Sequence, residues 1–314
     1  MMSWTDRHCR YFLRLVSPRA RLYTEMVTAA AILKGDRQRL LRFDPAEHPV
    51  ALQIGGNDPA EMAAAARVGA RFGYDEINVN IGCPSDRVQN GTFGACLMSH
   101  PKTVASCVRA MRAQTDVPVT VKTRTGIDDR DSYEFLRGFV EAVAAAGCDT
   151  FIVHARKAIL GGLSPRDNRN VPPLNYERVY RLKADCPELE VVVNGGVRTV
   201  EEAASHLRHV DGVMIGREAY QNPWFLTELE HHLGGPPADV PERRHDVARG
   251  MLPYIEERLA AGTELKHIAR HMLNLFAGQP GARQWRRYLS EHAHRPGAGV
   301  DVIEGALRRL PEVA

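Results

Sequence analysis

A glycine-rich segment with two cysteines, Ile81–Met98, is the most unusual stretch of the sequence. Cys83 comes shortly after the end of a β-rich run, so we expect its thiol at the carboxyl end of a strand. A thiol in that place could act as a nucleophile, a metal ligand or a proton donor. The sequence has no His–Cys spacing of a zinc site around it, so a protonated thiol acting as a general acid stays open. Cys96 lies in an apolar run and is predicted to begin a buried helix.

Polar side chains stand at the end of nearly every β-rich run in the first two thirds of the chain. In a barrel of alternating strands and helices, such positions line the face where catalysis occurs. Any one of them alone could be a loop residue or a hydrogen-bonded cap, but their joint occurrence predicts a site. They are Glu25, Gln53, Asn78, Asn80, Lys122, Arg124, His154, Arg156, Asn194 and the pair Gly216–Arg217.

The residues at the ends of two of these β-rich runs could bind an anion. Asn194-Gly195-Gly196 and Gly216-Arg217 follow the last two β-rich runs, where barrels of this type commonly bind phosphate. Glycines let backbone N–H groups approach an anion closely, and Arg217 can clamp it through a bidentate contact. Lys122 is notable because the chain has only six lysines against 35 arginines. Its retention suggests that a compact point charge is needed there, although a lysine reaching the surface is the alternative.

The elements that must position these residues alternate between two patterns. Short β-rich runs predict strands at 21–26, 49–54, 76–80, 117–122, 150–154, 190–194 and 211–215, and helical patterns cover 59–72, 101–114, 131–146 and 200–207. Strands alternating with helices predict a parallel sheet with right-handed crossovers. Seven or eight strand–helix units within this length fit a TIM (β/α)8 barrel better than an open Rossmann sheet. No G-x-G-x-x-G follows the first strand, which also argues against a dinucleotide-binding fold.

The pattern changes after residue 234. Amphipathic helices are predicted at 247–260, 265–276, 283–294 and 301–310, with no further strand. We therefore predict two domains, a barrel over residues 1–235 and a small all-α helical bundle over residues 236–314.

Composition excludes several classes of protein. The 314 residues are 44% hydrophobic and 25% charged, which is ordinary for a globular protein and excludes global disorder. No apolar run approaches the roughly 18 residues that cross a bilayer, and the first ten residues lack the apolar core of a secretory signal. The six cysteines do not form a disulfide framework, so we expect a reducing, cytoplasmic location.

The net charge of +3 hides local basic stretches. Residues 266–295 carry six Lys and Arg against the single acidic Glu291, and residues 156–169 hold a second excess. Each stretch could be a solvated face or a surface that binds a polyanion through its phosphates.

Several motifs resemble the flavin-dependent tRNA-dihydrouridine synthase family, and are most similar to its DusA subfamily. They are DEINVNIGCPSDRVQNGTFGACLM, VPVTVKTRTGIDD, FIVHARKA, VVNGGV, DGVMIGREAYQNP and GARQWRRYLSE, supported by LYTEMV and LSPRDNRNVPPL. The resemblance spans about residues 4–310. It implies an FMN-bound barrel with a helical tRNA-binding domain, reducing the C5–C6 bond of D-loop uridines at positions 20 and 20a. NADPH would reduce the flavin, and no metal, membrane or protein partner is implied.

The resemblance also implies roles for individual residues. Cys83 corresponds to the thiol that protonates C5 of the uracil, and Asn80 to a residue that contacts the base. Beside a flavin, Lys122 would stabilise the negative charge of the reduced ring. The implied flavin contacts are Gln53, Lys122, His154, Asn194, Gly195, Gly196, Gly216 and Arg217. The implied tRNA contacts, besides Asn80, are Arg87, Arg166, Arg169, Arg283 and Arg286.

The amino end departs from the family pattern. Family members begin with a further strand and an Ala-Pro-Met segment that contacts FMN, whereas this chain starts inside that motif, with Ser3 where the family has Asp. We expect a start assigned too far downstream; a chain that truly lacks the first strand should bind flavin weakly and be marginally stable.

Two other functions compete with this hypothesis. A small-molecule flavin barrel of the dihydroorotate-dehydrogenase type would not need the basic helical segment. An RNA-binding module with a degenerate barrel would not bind flavin, so a yellow purified protein would count against it.

Overall fold

The computed structural model describes residues 1–85, 91–234 and 240–311. The chain forms two compact units. A helical unit comprises Met1–Leu22, Asp44–Glu47 and Arg217–Ala314, and a barrel unit comprises Tyr23–Phe43 and His48–Gly216. The predicted boundary at residues 235 and 236 lies outside the described residues, and the assignment of functional domains stays a prediction.

The sheet contains eight short strands among the described residues. They are β1 (Leu22–Tyr23), β2 (Val27–Thr28), β3 (Val50–Gly55), β4 (Glu76–Asn80), β5 (Val119–Arg124), β6 (Thr150–His154), β7 (Glu190–Asn194) and β8 (Gly212–Met214). β3 to β8 pair in sequence order, each parallel to the next, and β1 and β2 both pair with β3. β5 is rich in β-branched residues, and both β3 and β5 are almost wholly buried, as strands covered on both faces are.

Helices connect these strands in the barrel unit. They are α2 (Ala29–Lys34), α3 (Arg37–Leu41), α4 (Pro59–Arg71), α5 (Pro101–Arg112), α6 (Tyr133–Ala144), α7 (Tyr176–Asp185) and α8 (Val200–His206). Several begin at side-chain caps: for example, the Asp58 carboxylate accepts from the backbone N–H of Glu61, and Thr199 forms a capping box with Glu202. The predicted parallel α/β barrel architecture, followed by further helices, is confirmed.

Two predicted strands have different bounds. The run at 117–122 forms a strand only from Val119, because Pro118 has no N–H to donate to a ladder. The run at 21–26 forms only the two-residue strand β1, at Leu22–Tyr23, and β2 begins just beyond the run, at Val27.

The helical unit is formed by both ends of the chain. Its helices are α1 (Arg7–Val16), α9 (Arg217–Gln221), α10 (Trp224–His232), α11 (Arg244–Gly250), α12 (Leu252–Ala260), α13 (Leu265–Met272), α14 (Ala282–His292) and α15 (Val300–Leu307). The prediction of one helix over 247–260 was wrong. The chain breaks at Met251 because Pro253 cannot continue a preceding helix but fits the first turn of the next.

Trp285 is the centre of this unit's core. Its side chain is fully buried, its indole N–H donates to the carbonyl of Met272 at 3.0 Å, and its ring packs against Phe276. At the amino end, Asp6 caps α1 and also pairs with Arg270 and His271 of α13. None of the described helices is long and apolar enough to cross a membrane.

Candidate active site at the carboxyl ends of the strands

A ladder of side-chain amides crosses the inner face of the sheet. Alternate residues of a strand share a face, so Asn78 and Asn80 of β4 point the same way. The register places Gln53 of β3 opposite Asn78. Gln53 Nε2 donates to Asn78 Oδ1 at 2.9 Å, and Asn80 Nδ2 donates to Gln53 Oε1 at 2.7 Å.

Asn80 also holds the loop that carries Cys83. Its Oδ1 accepts from the backbone N–H groups of Gly82 at 3.1 Å and Cys83 at 3.0 Å. The Cys83 carbonyl accepts from the backbone N–H of Ala95 at 2.9 Å. The thiol is half-buried and donates to Ser85 Oγ at 3.4 Å. The predicted proximity of Cys83 to the end of β4 is therefore present, with Asn80 as the residue that fixes it.

Lys122 is a half-buried cation in β5. Nζ donates to Asn194 Oδ1 at 3.1 Å, and Asn194 Nδ2 in turn donates to the Met214 carbonyl at 2.7 Å. Desolvation lowers the pKa of Lys122 to about 7, with a smaller contribution from the charge of Arg124. Within the described ranges no carboxylate forms an ion pair with Lys122. An unneutralised ammonium in this position favours an anionic or strongly polar ligand.

Arg124 links the Cys83 loop to a second loop. Nε donates to the Gly82 carbonyl at 3.0 Å, and Nη1 donates to the Asn168 carbonyl at 3.0 Å. Burial lowers the pKa of Arg124 to about 10. Arg124 is one of the predicted polar residues at the strand ends, but its role as a link between the two loops has no signal in the sequence beyond its position on the same face of β5 as Lys122.

The turn after β7 requires glycine. Gly195 and Gly196 have φ values of 116° and 79°, which L side chains rarely adopt. A Cβ on Gly196 would lie 2.7 Å from both Leu174 Cδ1 and the Tyr176 hydroxyl. That hydroxyl donates to the Gly195 carbonyl at 2.6 Å and so fixes the turn. His154 ends β6 directly opposite Asn194, and a Cβ on Gly195 would lie 3.1 Å from its Nε2.

The remaining predicted residues lie in several places. Arg166 and Arg169 are exposed in the loop that the buried Asn168 side chain anchors through Ile159 and Leu163. Gly216 ends the barrel unit, and Arg217 begins α9 of the helical unit. Arg87 lies outside the described residues.

Arg283 and Arg286 are exposed on α14 of the helical unit. Across the residues for which coordinates are described, neither has an acidic partner, whereas their neighbour Arg287 pairs with Glu291 at 2.7 Å. No cluster of three or more His, Cys, Asp or Glu residues suited to a metal ion occurs in the same ranges.

Comparison with known proteins bears on this arrangement. A family model for dihydrouridine synthases (Dus) matches residues 1–309. The tRNA-dihydrouridine(20/20a) synthase of Vibrio cholerae is 58% identical over 312 residues, covering 99% of this chain and 95% of the relative. Proteins of the same name from Shewanella oneidensis and Escherichia coli K12 are each 58% identical, over 310 and 313 residues, covering 99% of this chain and 92% and 90% of the relatives. The chain therefore belongs to the dihydrouridine synthase family.

Proposed function

We propose that this protein reduces uridine in tRNA to 5,6-dihydrouridine, with Cys83 as the proton donor. The observation that carries the proposal is the arrangement of Asn80, Cys83, Lys122 and Arg124 at one end of the parallel sheet, in a chain of the dihydrouridine synthase family. The names of the relatives support positions 20 and 20a as the targets.

The residues at the strand ends fit FMN. Lys122 has two N–H donors left after its bond to Asn194, and Gln53, Asn80 and Asn194 each have one amide N–H left. The amide oxygens of these residues already accept hydrogen bonds, so the groups left to bind a ligand are N–H donors and one positive charge. Such groups suit the oxygen- and nitrogen-rich edge of an isoalloxazine ring, which when bound supplies the hydride for C6 of the uracil.

The phosphate of FMN requires close approach to backbone N–H groups. The left-handed turn at Gly195 and Gly196 supports a phosphate contact there, because no side chain projects from it. His154 beside this turn, and Gly216 and Arg217 after the last strand, complete the proposed cofactor contacts.

Cys83 is suited to release a proton toward C5. Its thiol is half-buried just beyond the end of β4, where it donates to Ser85 Oγ at 3.4 Å. The backbone that carries it is fixed by the hydrogen bond from its N–H to Asn80 Oδ1. Asn80, which fixes the Cys83 backbone, is proposed to contact the uracil.

The tRNA backbone is proposed to contact exposed arginines. Arg166 and Arg169 lie in the loop that Arg124 ties to the Cys83 loop, and Arg283 and Arg286 lie on the helical unit. The proposed substrate is a D-loop uridine, which must leave its stack to meet the ring. NADPH is the proposed reductant, and the six free cysteines are compatible with a cytoplasmic location.

The test uses tRNA from a strain without its own dihydrouridine synthases, incubated with the protein, FMN and NADPH. Mass-spectrometric mapping should find dihydrouridine at positions 20 and 20a. Cys83→Ala should leave flavin reduction by NADPH intact and slow product formation by about 100-fold or more. Cys96→Ala is the matched control, because Cys96 lies in the same loop and its thiol donates to the Phe93 carbonyl. Absence of product with the unmodified protein, or full product with Cys83→Ala, would contradict the proposal.

A further inference from the structure

The amide ladder continues below the strand ends to a buried carboxylate. Glu76, the first residue of β4, is 0% exposed. Its Oε1 accepts from Thr120 Oγ1 at 2.5 Å and from the Tyr23 hydroxyl at 3.0 Å. Thr120 Oγ1 accepts from Asn78 Nδ2 at 2.8 Å, which joins this pair to the ladder above. One uninterrupted series of hydrogen bonds therefore runs from Glu76 to the backbone of Gly82.

The two ends of this series determine its direction. The carboxylate oxygen of Glu76 can only accept, so the single hydrogen of the Thr120 hydroxyl is used there, and Thr120 must accept from Asn78. Asn78 then presents its oxygen to Gln53. At the other end, the backbone N–H of Cys83 can only donate, so Asn80 must present its oxygen to the loop.

The donor-to-acceptor directions required by the two ends of the series are consistent with each other at Gln53. Gln53 donates through Nε2 toward the carboxylate end and accepts through Oε1 from Asn80. If any one of these amides were rotated by half a turn, its N–H would face another donor on one side and its oxygen would face another acceptor on the other side. Hydrogen bonds arranged donor to acceptor in a series also polarise one another. The buried carboxylate thus sets which amide atoms remain for a ligand.

We propose that Glu76 and Thr120 are positioning residues: they fix the amide orientations of Asn78, Gln53 and Asn80 and thereby hold the Gly82–Cys83 backbone in place. Neither touches the reacting atoms, since three amides separate them from Cys83. The catalytic consequence rests on the proposed function, whereas the effect on the loop does not.

Thr120→Val tests this role, because valine keeps the shape of threonine and removes the hydroxyl. Thr120→Ser keeps the hydroxyl and should restore the behaviour of the unmodified protein. Thr123→Val is the matched control: Thr123 lies on the opposite face of the same strand, is 0% exposed, and its Oγ1 has no hydrogen-bond partner among the described residues.

The first measurement is backbone hydrogen exchange of the peptide that contains Gly82 and Cys83, in the full-length protein without tRNA. Thr120→Val should accelerate exchange there about tenfold, because the acceptor for these two amides loses its fixed orientation. Thr120→Ser and Thr123→Val should change it by less than about twofold. The second measurement is a single turnover of the reduced holoenzyme with tRNA. Thr120→Val should slow this step about tenfold and alter flavin reduction by NADPH by less than about twofold.

Each outcome decides a different point. Unchanged exchange in Thr120→Val, or equal acceleration in Thr120→Val and Thr123→Val, overturns the positioning role, since the second result would reflect packing alone. Faster exchange with an unaffected single turnover overturns its link to catalysis. If the unmodified protein makes no dihydrouridine while the exchange results are as expected, the proposed function fails and the positioning role stands.

Discussion

Replacing Lys122 by methionine should stabilise the FMN-free protein and weaken its affinity for FMN. Lys122 is half-buried, its one described hydrogen bond goes to Asn194, and desolvation lowers its pKa to about 7. The ammonium is therefore more costly in the folded chain than in the unfolded chain. Methionine has a similar length and no charge to desolvate.

The size of the effect follows from this pKa. A fall in the pKa from 10.5, the ordinary value for a lysine, to about 7 corresponds to about 4 to 5 kcal/mol, at about 1.4 kcal/mol for each tenfold change. Loss of the hydrogen bond to Asn194 offsets this by about 1 kcal/mol. Lys122→Met should then raise the free energy of unfolding at pH 7 by about 3 kcal/mol.

The pH dependence has a definite sign. Between pH 7 and 10.5 the unfolded chain binds a proton at Lys122 that the folded chain does not, so the unmodified protein gains stability as the pH rises through this window. The advantage of Lys122→Met should therefore be largest near pH 7 and shrink by pH 10.

Urea unfolding of the FMN-free proteins at pH 7 and pH 10 measures both effects, and FMN titration measures the loss of affinity, expected to be at least about tenfold. Lys183→Met is the control, because Lys183 pairs with Asp211 at 3.0 Å and its removal should only destabilise. A variant at Lys122 that is no more stable than the unmodified protein at pH 7, or whose advantage is the same at both pH values, would refute the argument.

Three further predictions follow from other parts of the chain. Burial lowers the pKa of His8 from 6.5 to about 4, so on acidification the unfolded chain takes up a proton at this residue before the folded chain does. The free energy of unfolding should therefore fall by up to about 3 kcal/mol between pH 6.5 and 4. His8→Gln should flatten this part of the pH profile, which urea unfolding measures. Gly196→Ala would place a Cβ against Leu174 and Tyr176 in a left-handed conformation, so unfolding by urea should show a loss of about 1 to 3 kcal/mol, and FMN titration a weaker affinity. Arg286→Ala should reduce the slope of tRNA affinity against salt by about one without altering the flavin spectrum; an unchanged slope would argue against a phosphate contact.

The residues at the strand ends could be predicted because parallel strands bring their carboxyl ends to one edge. The sequence shows four polar residues at the ends of apolar runs: Gln53, Asn80, Lys122 and Asn194. All four form hydrogen bonds with one another in pairs, Asn80 with Gln53 and Lys122 with Asn194. The prediction required only the period of the strands and the alternation with helices.

The lower part of the amide ladder could not be predicted in this way. Glu76 and Thr120 are ordinary residues for the beginning of a strand and for a β-rich run, and neither stands at an exit. Their contact depends on the register between β4 and β5, which places Asn78 opposite Thr120. Register is set by tertiary packing, which a single sequence does not reveal.

The helix α1 was also missed, for a related reason. Its Arg10 and Arg14 are buried, where Arg10 pairs with Glu47 at 2.6 Å and Arg14 donates to the Glu47 carbonyl at 3.0 Å. Arginines at such positions obscure the apolar face by which an amphipathic helix is recognised. Glu47 is 37 residues from Arg10 and 33 residues from Arg14 in the chain.

The helical unit combines the first residues of the chain with the last, and this has a consequence for biosynthesis. Asp6 pairs with Arg270 across a separation of 264 residues. During translation α1 leaves the ribosome before the barrel unit, yet the helices that pack with it are made only after that unit. A fragment that begins near residue 236 would therefore lack a native part of its own core, and α1 must stay uncovered on the nascent chain until those helices have been made.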